Sequence, residues 1–327
     1  MAIETALTMA FGLDYPVVSA PMAGVSGGRL AAAVSNAGGL GLVGGGYGDA
    51  GWLRKEMAIA RAEAERPWGV GLITWSAEPE IVDLALGYEP RAFMLSFGDP
   101  RPYSRAIKAA GCALICQVQD VEGARMAVSA GADFVVAQGT EAGGHGSDAR
   151  ATLPLVPALA DTVSPTPVLA AGGIADGRGL AAALMLGAQG ALMGTRFYAA
   201  TESLGHPRAK ERLVAAVGGN TRRTRVFDVV RGHQWPEAYT GRAIVNPFLE
   251  KWDNRVEELA STQDTEASAF RAATERGDFD TAMVWTGEGV DLITDVRPAA
   301  ELLLRTGAEA ETRLRLARNL LGGTPTG

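Results

Sequence analysis

Between residues 15 and 193 the chain repeats one unit: a short apolar run, a Gly/Pro/polar loop, then an Ala-rich stretch with helical spacing. The apolar runs are YPVVSA (15–20), LGLVG (40–44), WGVGLIT (68–74), RAFMLSF (91–97), CALICQV (112–118), DFVVAQG (133–139), PVLAAGG (167–173) and GALMG (190–194). Near-continuous hydrophobicity suits parallel strands buried on both faces, and a spacing of roughly 20 to 30 residues suits helical crossovers rather than hairpins. An open doubly wound sheet is the rival arrangement. Eight regular units favour closure into an α/β fold of the (β/α)₈ TIM barrel type.

After residue 201 the texture turns charged and aromatic (RRTRVFDVVRGHQWPEAYTGRAIVNPFLEKW), followed by a polar helical segment around 257–276. This predicts a smaller, mainly helical lid domain that follows strand eight and covers the barrel mouth. The expected boundaries are 1–206 with about 292–327 for the barrel, and about 207–291 for the lid. Residues 297–321 alternate Ala/Leu with Arg/Glu at helical spacing and are expected to return to the barrel, before GGTPTG (322–327) frays. With 327 residues, 47% of them hydrophobic, the chain has ample material for such a core.

Composition also narrows the partners. Thirty Lys+Arg against 37 Asp+Glu give a net charge of −7, and no basic run offers nucleic acid a footprint. A small-molecule partner is expected, with a homodimer left open. Cys112 and Cys116 lie four apart in one extended run, a Cα separation of about 13 Å that a disulfide does not span. They read as buried small hydrophobes. The N-terminus carries no basic n-region or cleavage site, and no apolar run reaches the ~18 residues of a membrane helix, so a cytoplasmic protein without membrane contact is expected.

In a barrel, ligands sit at the C-terminal strand ends, with phosphate commonly held after strands seven and eight. Those positions are glycine-rich here. Ala171-Gly172-Gly173-Ile174 ends strand seven before a helix from about Gly177, and Gly194-Thr195-Arg196 ends strand eight. Glycine lets backbone N–H groups approach phosphate oxygens, a helix N-terminus adds partial positive charge, and the Thr195 hydroxyl adds a donor. Neither G-x-G-x-x-G with its acidic partner nor a P-loop is present. Strand one ends Ala20-Pro21-Met22-Ala23-Gly24, where proline suits a rigid wall against a planar ring and an ordinary turn with a core Met is the competing reading.

Three histidines exist. His145 follows strand six in QGTEAGGHGS, a loop too polar and glycine-rich for a core, and an imidazole at a strand end there can act as general base. Gly143 and Gly144 before it would let a ring pack on backbone. His206 and His233 read as structural, and no metal site is expected because HExxH and paired ligand spacings are absent. Ser147 and Asp148 flank His145 without the G-x-S-x-G elbow that hydrolysis would need. Trp75, Trp235 and Phe248 serve equally as pocket wall or core.

Along almost its whole length the chain resembles the nitronate monooxygenases, formerly 2-nitropropane dioxygenases, which share their fold with FMN-dependent enoyl-ACP reductases and NADH:quinone reductases. The matching residues are Ala20-Pro21-Met22-Ala23, Gln138-Gly139-Thr140-Glu141-Ala142-Gly143-Gly144-His145, Ala171-Gly172-Gly173-Ile174 and Gly194-Thr195-Arg196-Phe197, with Arg225-Val226-Phe227 and Gly241 through Asn246 in the second domain. The resemblance implies FMN, with its phosphate on Gly172, Gly173, Gly194 and Thr195. It places the flavin ring against Pro21, Met22 and Ala23, beside Gln117, Gly143 and Gly144. Several relatives carry Asn in strand three and Lys in strand five, where this chain has Gly71 and Gln117.

The reaction implied is oxidation of an alkyl nitronate, or a nitroalkane, with O₂ to a carbonyl compound and nitrite, with His145 as catalytic residue. An NAD(P)H-dependent quinone or enoyl-thioester reductase is the alternative, because the EAGGH stretch occurs in both groups. A non-catalytic flavin-binding protein is a third reading.

Overall fold

The computed structural model describes residues 3–321, so the 322–327 tail expected to fray lies outside the described residues. Each predicted apolar run contains a barrel strand: β1 Val17–Ser19, β2 Leu40–Gly46, β3 Trp68–Ile73, β4 Ala92–Ser96, β5 Ala113–Val118 and β6 Phe134–Gln138. The loop after β6 holds a short extra strand, β7 (Gly144–Gly146), and the barrel resumes with β8 (Val168–Ala171) and β9 (Ala191–Met193). The eight barrel strands pair in the closed order β1-β2-β3-β4-β5-β6-β8-β9, so the TIM barrel expected from the repeat is the fold observed.

Two dry faces explain the unbroken hydrophobicity of the runs. Along β4, Ala92 and Met94 join the interior cluster with Leu42, Ile115, Phe134 and Leu169. The alternating Phe93 and Leu95 face outward against helix residues such as Met57, Val82 and Ile107. Leu42 is fully buried, and truncating a core leucine of this kind costs about 2–5 kcal/mol. The N-terminal helix Ala6–Phe11 sends Leu7 and Phe11 into the same interior, with the Phe11 ring 5.8 Å from Phe134 at the start of β6. That end of the barrel is plugged, which leaves the C-terminal strand ends as the open mouth.

The segment after β9 carries β10 (Thr221–Thr224), β11 (Thr240–Ile244) and the helices Val226–Arg231, Pro247–Trp252, Val256–Ser261 and Gln263–Arg276. Its own core is aromatic, with Phe227, Phe248, Trp252 and Phe270 buried together. The expected lid is helical in the main, but it also contains a three-stranded sheet in the order β10-β11-β7. One strand of that sheet belongs to the barrel loop bearing His145. The sequence Gly-His-Gly is too short and glycine-rich to read as a strand by itself, because its pairing partner lies about a hundred residues away.

The last helix, Ala299–Ala317, returns to the barrel and packs on the helix Gly177–Met185, where the Glu309 carboxylate accepts from the Gly177 N–H at 3.0 Å. Cys112 and Cys116 are free and buried; Cys112 lies one residue ahead of β5. Among the described residues no helix is long and apolar enough to cross a membrane.

Candidate functional site

At the open mouth lies a cavity of about 520 Å³, within the range of pockets that enclose a small ligand. Every catalytic or cofactor-binding candidate from the sequence lines it: Pro21, Met22 and Ala23 after β1, Gln117 on β5, Gly143, Gly144 and His145 at β7, Ala171 at the end of β8 with Gly172 and Gly173 after it, and Gly194 and Thr195 after β9. The strand ends therefore converge although they are far apart in sequence.

The β8–β9 side is built from backbone. Gly172 and Gly173 have φ of 111° and 70°, a left-handed conformation that a side chain would strain and that turns their amides out of the sheet. Among the described residues, the N–H groups of Gly172, Gly173 and Gly194 donate to no acceptor. Thr195 adds its hydroxyl, whose oxygen accepts from the Gly287 N–H at 3.0 Å and whose proton is left for another acceptor. One expected contributor is missing. The N-terminus of the helix Gly177–Met185 is already satisfied by Asp176, which accepts from Arg178 and Gly179, and by Glu309 on Gly177. A phosphate here would rest on loop amides, not on that helix end.

The β1 turn forms a wall on a floor of small residues. A side chain at Gly71 on β3 would overlap the Pro21 ring. Gln117, on β5, is buried with its side chain on the same wall.

His145 is held from several directions. Its Nε2 lies 2.9 Å from both Oδ1 and Oδ2 of Asp228, and the two side chains are 9% and 4% exposed. A carboxylate only accepts, so Nε2 carries the proton and, in the neutral ring, Nδ1 carries the lone pair. Nδ1 makes no hydrogen bond among the described residues, and His145 lines the cavity. The imidazole stacks on Trp235 with 3.6 Å between centroids and 4° between planes, and Trp285 lies tilted at 5.1 Å. Burial pushes the imidazole pKa below its ordinary value, opposed in part by Asp228. That direction favours the neutral form of the ring.

The backbone beneath it is equally constrained. Gln138 Nε2 donates to the His145 carbonyl at 2.9 Å, while its Oε1 accepts from Gln119 at 2.8 Å. Half-buried Arg223 donates to the carbonyls of Thr140, Gly146 and Thr240, and buried Arg242 also donates to Thr140 while pairing with Glu288 at 2.8 Å. In the ladder between β7 and β11, His145 stands opposite Gly241.

Aromatic side chains close the mouth. Trp235 donates through Nε1 to the Tyr47 hydroxyl at 2.9 Å, and Tyr47 stacks on His233 at 4.2 Å. Phe97 packs edge-on to Trp235 at 5.1 Å from a left-handed φ of 64°, a conformation costing about 1–3 kcal/mol that its surroundings must over-determine. Of the three aromatic candidates, Trp235 lines the cavity, Trp75 touches Trp235 at 5.4 Å, and Phe248 belongs to the lid core. His206 accepts from the Arg208 N–H as a helix cap, and burial lowers the His233 pKa to about 4. Among the described residues no cluster of His, Cys, Asp or Glu is disposed to hold a metal.

Sequence reasoning missed Asp228, Gln138 and Arg231 as cavity or support residues. Asp228 directly follows the Arg225-Val226-Phe227 segment, and a buried carboxylate within a lid core would have been the signal.

The family profile described as nitronate monooxygenase matches residues 4–81 and 73–306. A nitronate monooxygenase from Neurospora crassa is 34% identical, covering 91% of this chain and 90% of its own. Among solved structures, FabK from Thermotoga maritima superposes with a TM-score of 0.87 at 32% identity, covering 98% of this chain and 100% of its own. A nitroalkane oxidase from Streptomyces ansochromogenes follows with a TM-score of 0.82 at 30% identity, covering 96% and 100%.

Proposed function

This chain belongs to the nitronate monooxygenase family of flavin-dependent oxidoreductases, and from that premise we propose that its cavity binds FMN and that His145 serves the oxidation of alkyl nitronates or nitroalkanes by O₂. The observation that carries the reading is the pairing of two features on one cavity: amides without acceptors at Gly172, Gly173 and Gly194, and a buried imidazole whose lone pair Asp228 directs to Nδ1.

The residues present fit FMN. The three glycine amides and the Thr195 hydroxyl supply phosphate donors, and Pro21, Met22, Ala23, Gly143 and Gly144 offer flat, largely apolar support for the ring, with Gln117 as a polar neighbour. When bound, the flavin accepts electrons from the organic substrate and delivers them to oxygen. The chain's own groups do the rest. His145 Nδ1 takes the α-proton of a neutral nitroalkane, the positive charge that forms is stabilised by Asp228 on Nε2, and stacked Trp235 with Trp285 excludes water from the ring. A preformed nitronate has already lost that proton, so it needs the imidazole only for positioning.

Anaerobic addition of a nitronate to the purified, flavin-loaded protein is expected to bleach the flavin, and admission of air to restore colour with release of nitrite. Bleaching by NAD(P)H with no response to nitronates would move the chain to the reductases of this fold. A colourless protein that takes up no FMN would refute the assignment altogether.

A further inference from the structure

We infer that Arg231, together with the Tyr47 hydroxyl, recognises a planar anionic group of the substrate within the cavity, the nitro end of a nitronate. The inference rests on the functional reading above and adds the residue that selects the substrate's charge.

Among the described residues that line the cavity, Arg231 alone carries an ionised side chain; the others are apolar, aromatic, glycine, hydroxyl, amide or imidazole. It ends the helix Val226–Arg231 that also carries Asp228, and the chain turns away immediately through Gly232 at φ 72°. Among the described residues no carboxylate forms an ion pair with it, and the oxygens of Asp228 on the same helix lie against His145 Nε2. Its guanidinium stands 6.0 Å over the Tyr47 ring. A half-buried cation without a counter-ion is costly unless a ligand supplies the charge.

The neighbouring hydroxyl favours the same ligand. Tyr47 Oη accepts from Trp235 Nε1 at 2.9 Å, so its own proton remains for an acceptor in the cavity. Burial raises the Tyr47 pKa, which keeps that proton in place. A guanidinium fork matches two oxygens that share one negative charge in a plane, which is the geometry of a nitronate group. Tyr47 follows β2, whereas the glycine amides assigned to the cofactor phosphate follow β8 and β9, so the two anions have separate donors. Through Trp235, which stacks on His145 and binds Tyr47, the anion site is joined directly to the base.

The test uses sodium nitrate, planar and unreactive, against sodium chloride at equal ionic strength. Binding is followed by flavin absorbance and by the fluorescence of Trp235 and Trp285, which line the cavity. Wild type is expected to bind nitrate saturably, and nitrate to compete with a nitronate substrate. Arg231→Met should weaken nitrate binding and raise the nitronate KM by about 10- to 100-fold, the loss expected for a charge-assisted pair, with Arg231→Lys intermediate. Unchanged nitrate affinity in Arg231→Met overturns the inference. So does loss of FMN from that variant with its nitrate affinity intact, which would assign Arg231 to the cofactor phosphate. Should Arg231→Met fail to fold, the wild type decides: nitrate that does not compete with the nitronate overturns the proposal. Nitrate binding without any nitronate oxidation would sink the reaction and leave the anion site standing, while nitronate oxidation insensitive to nitrate would do the reverse.

Discussion

The β8–β9 side of the mouth and the lid side solve the same problem, holding a group at a fixed place, with different materials. Around Gly172, Gly173 and Gly194 the donors are backbone amides set by local φ values, and each depends on a few adjacent residues. Around His145 the position depends on side chains converging from Gln138, Arg223, Asp228, Trp235 and Trp285. Backbone sites tolerate little side-chain growth but need no long-range partners. Side-chain sites are the opposite, and their substitutions should therefore disturb chemistry more than cofactor uptake.

The largest contrast should come from the imidazole. His145→Ala is expected to lower kcat/KM for a neutral nitroalkane by about 10²–10⁴-fold, with a smaller loss on preformed nitronate and FMN retained. Steady-state kinetics with both substrate forms reads this, and equal losses would erase the distinction between the two sides. On the backbone side, Gly172→Ala should weaken FMN binding by about 10- to 100-fold, from a strained φ and a methyl meeting Thr152 Oγ1 at 2.7 Å. Flavin retained through dialysis measures it, and a variant that keeps its colour would show that the amides are not the grip.

A smaller effect sharpens the lid side. Asp228→Asn removes the charge that raises the His145 pKa against burial, and about a tenfold loss in nitroalkane turnover is expected. The base is active only when neutral, so activity falls as pH drops through its pKa. With the carboxylate gone that limb should move to lower pH, and movement to higher pH would contradict the electrostatic role. The smallest effect belongs to the barrel wall. Burial pushes both Cys112 and Cys116 up to about 12, so neither should react with a thiol reagent at pH 8 in the native state. Rapid labelling without unfolding would mean that the wall opens.

The same contrast decides what the sequence reveals. All eight barrel strands are legible because two-sided burial writes an unbroken apolar run into each one, and the glycine turns are legible because left-handed backbone demands that residue locally. His145 is visible as an odd imidazole in a glycine loop. Its support is not. Asp228 meets it across 83 positions of chain, and no periodicity records such a meeting. The β7 strand escapes for the same reason, since its pairing is fixed by β11 and by Arg223 rather than by its own propensity. The helix end after β8 reads as free for phosphate in the sequence, but Asp176 and Glu309 occupy it, one local and one from the final helix.

Pairing of β7 with β11 means that His145 is stitched into the second domain although it is encoded in the first. Separated from the second domain, the barrel would forfeit both the partner strand and the carboxylate that orient the imidazole. No rearrangement of the cover can therefore occur without carrying the His145 backbone along.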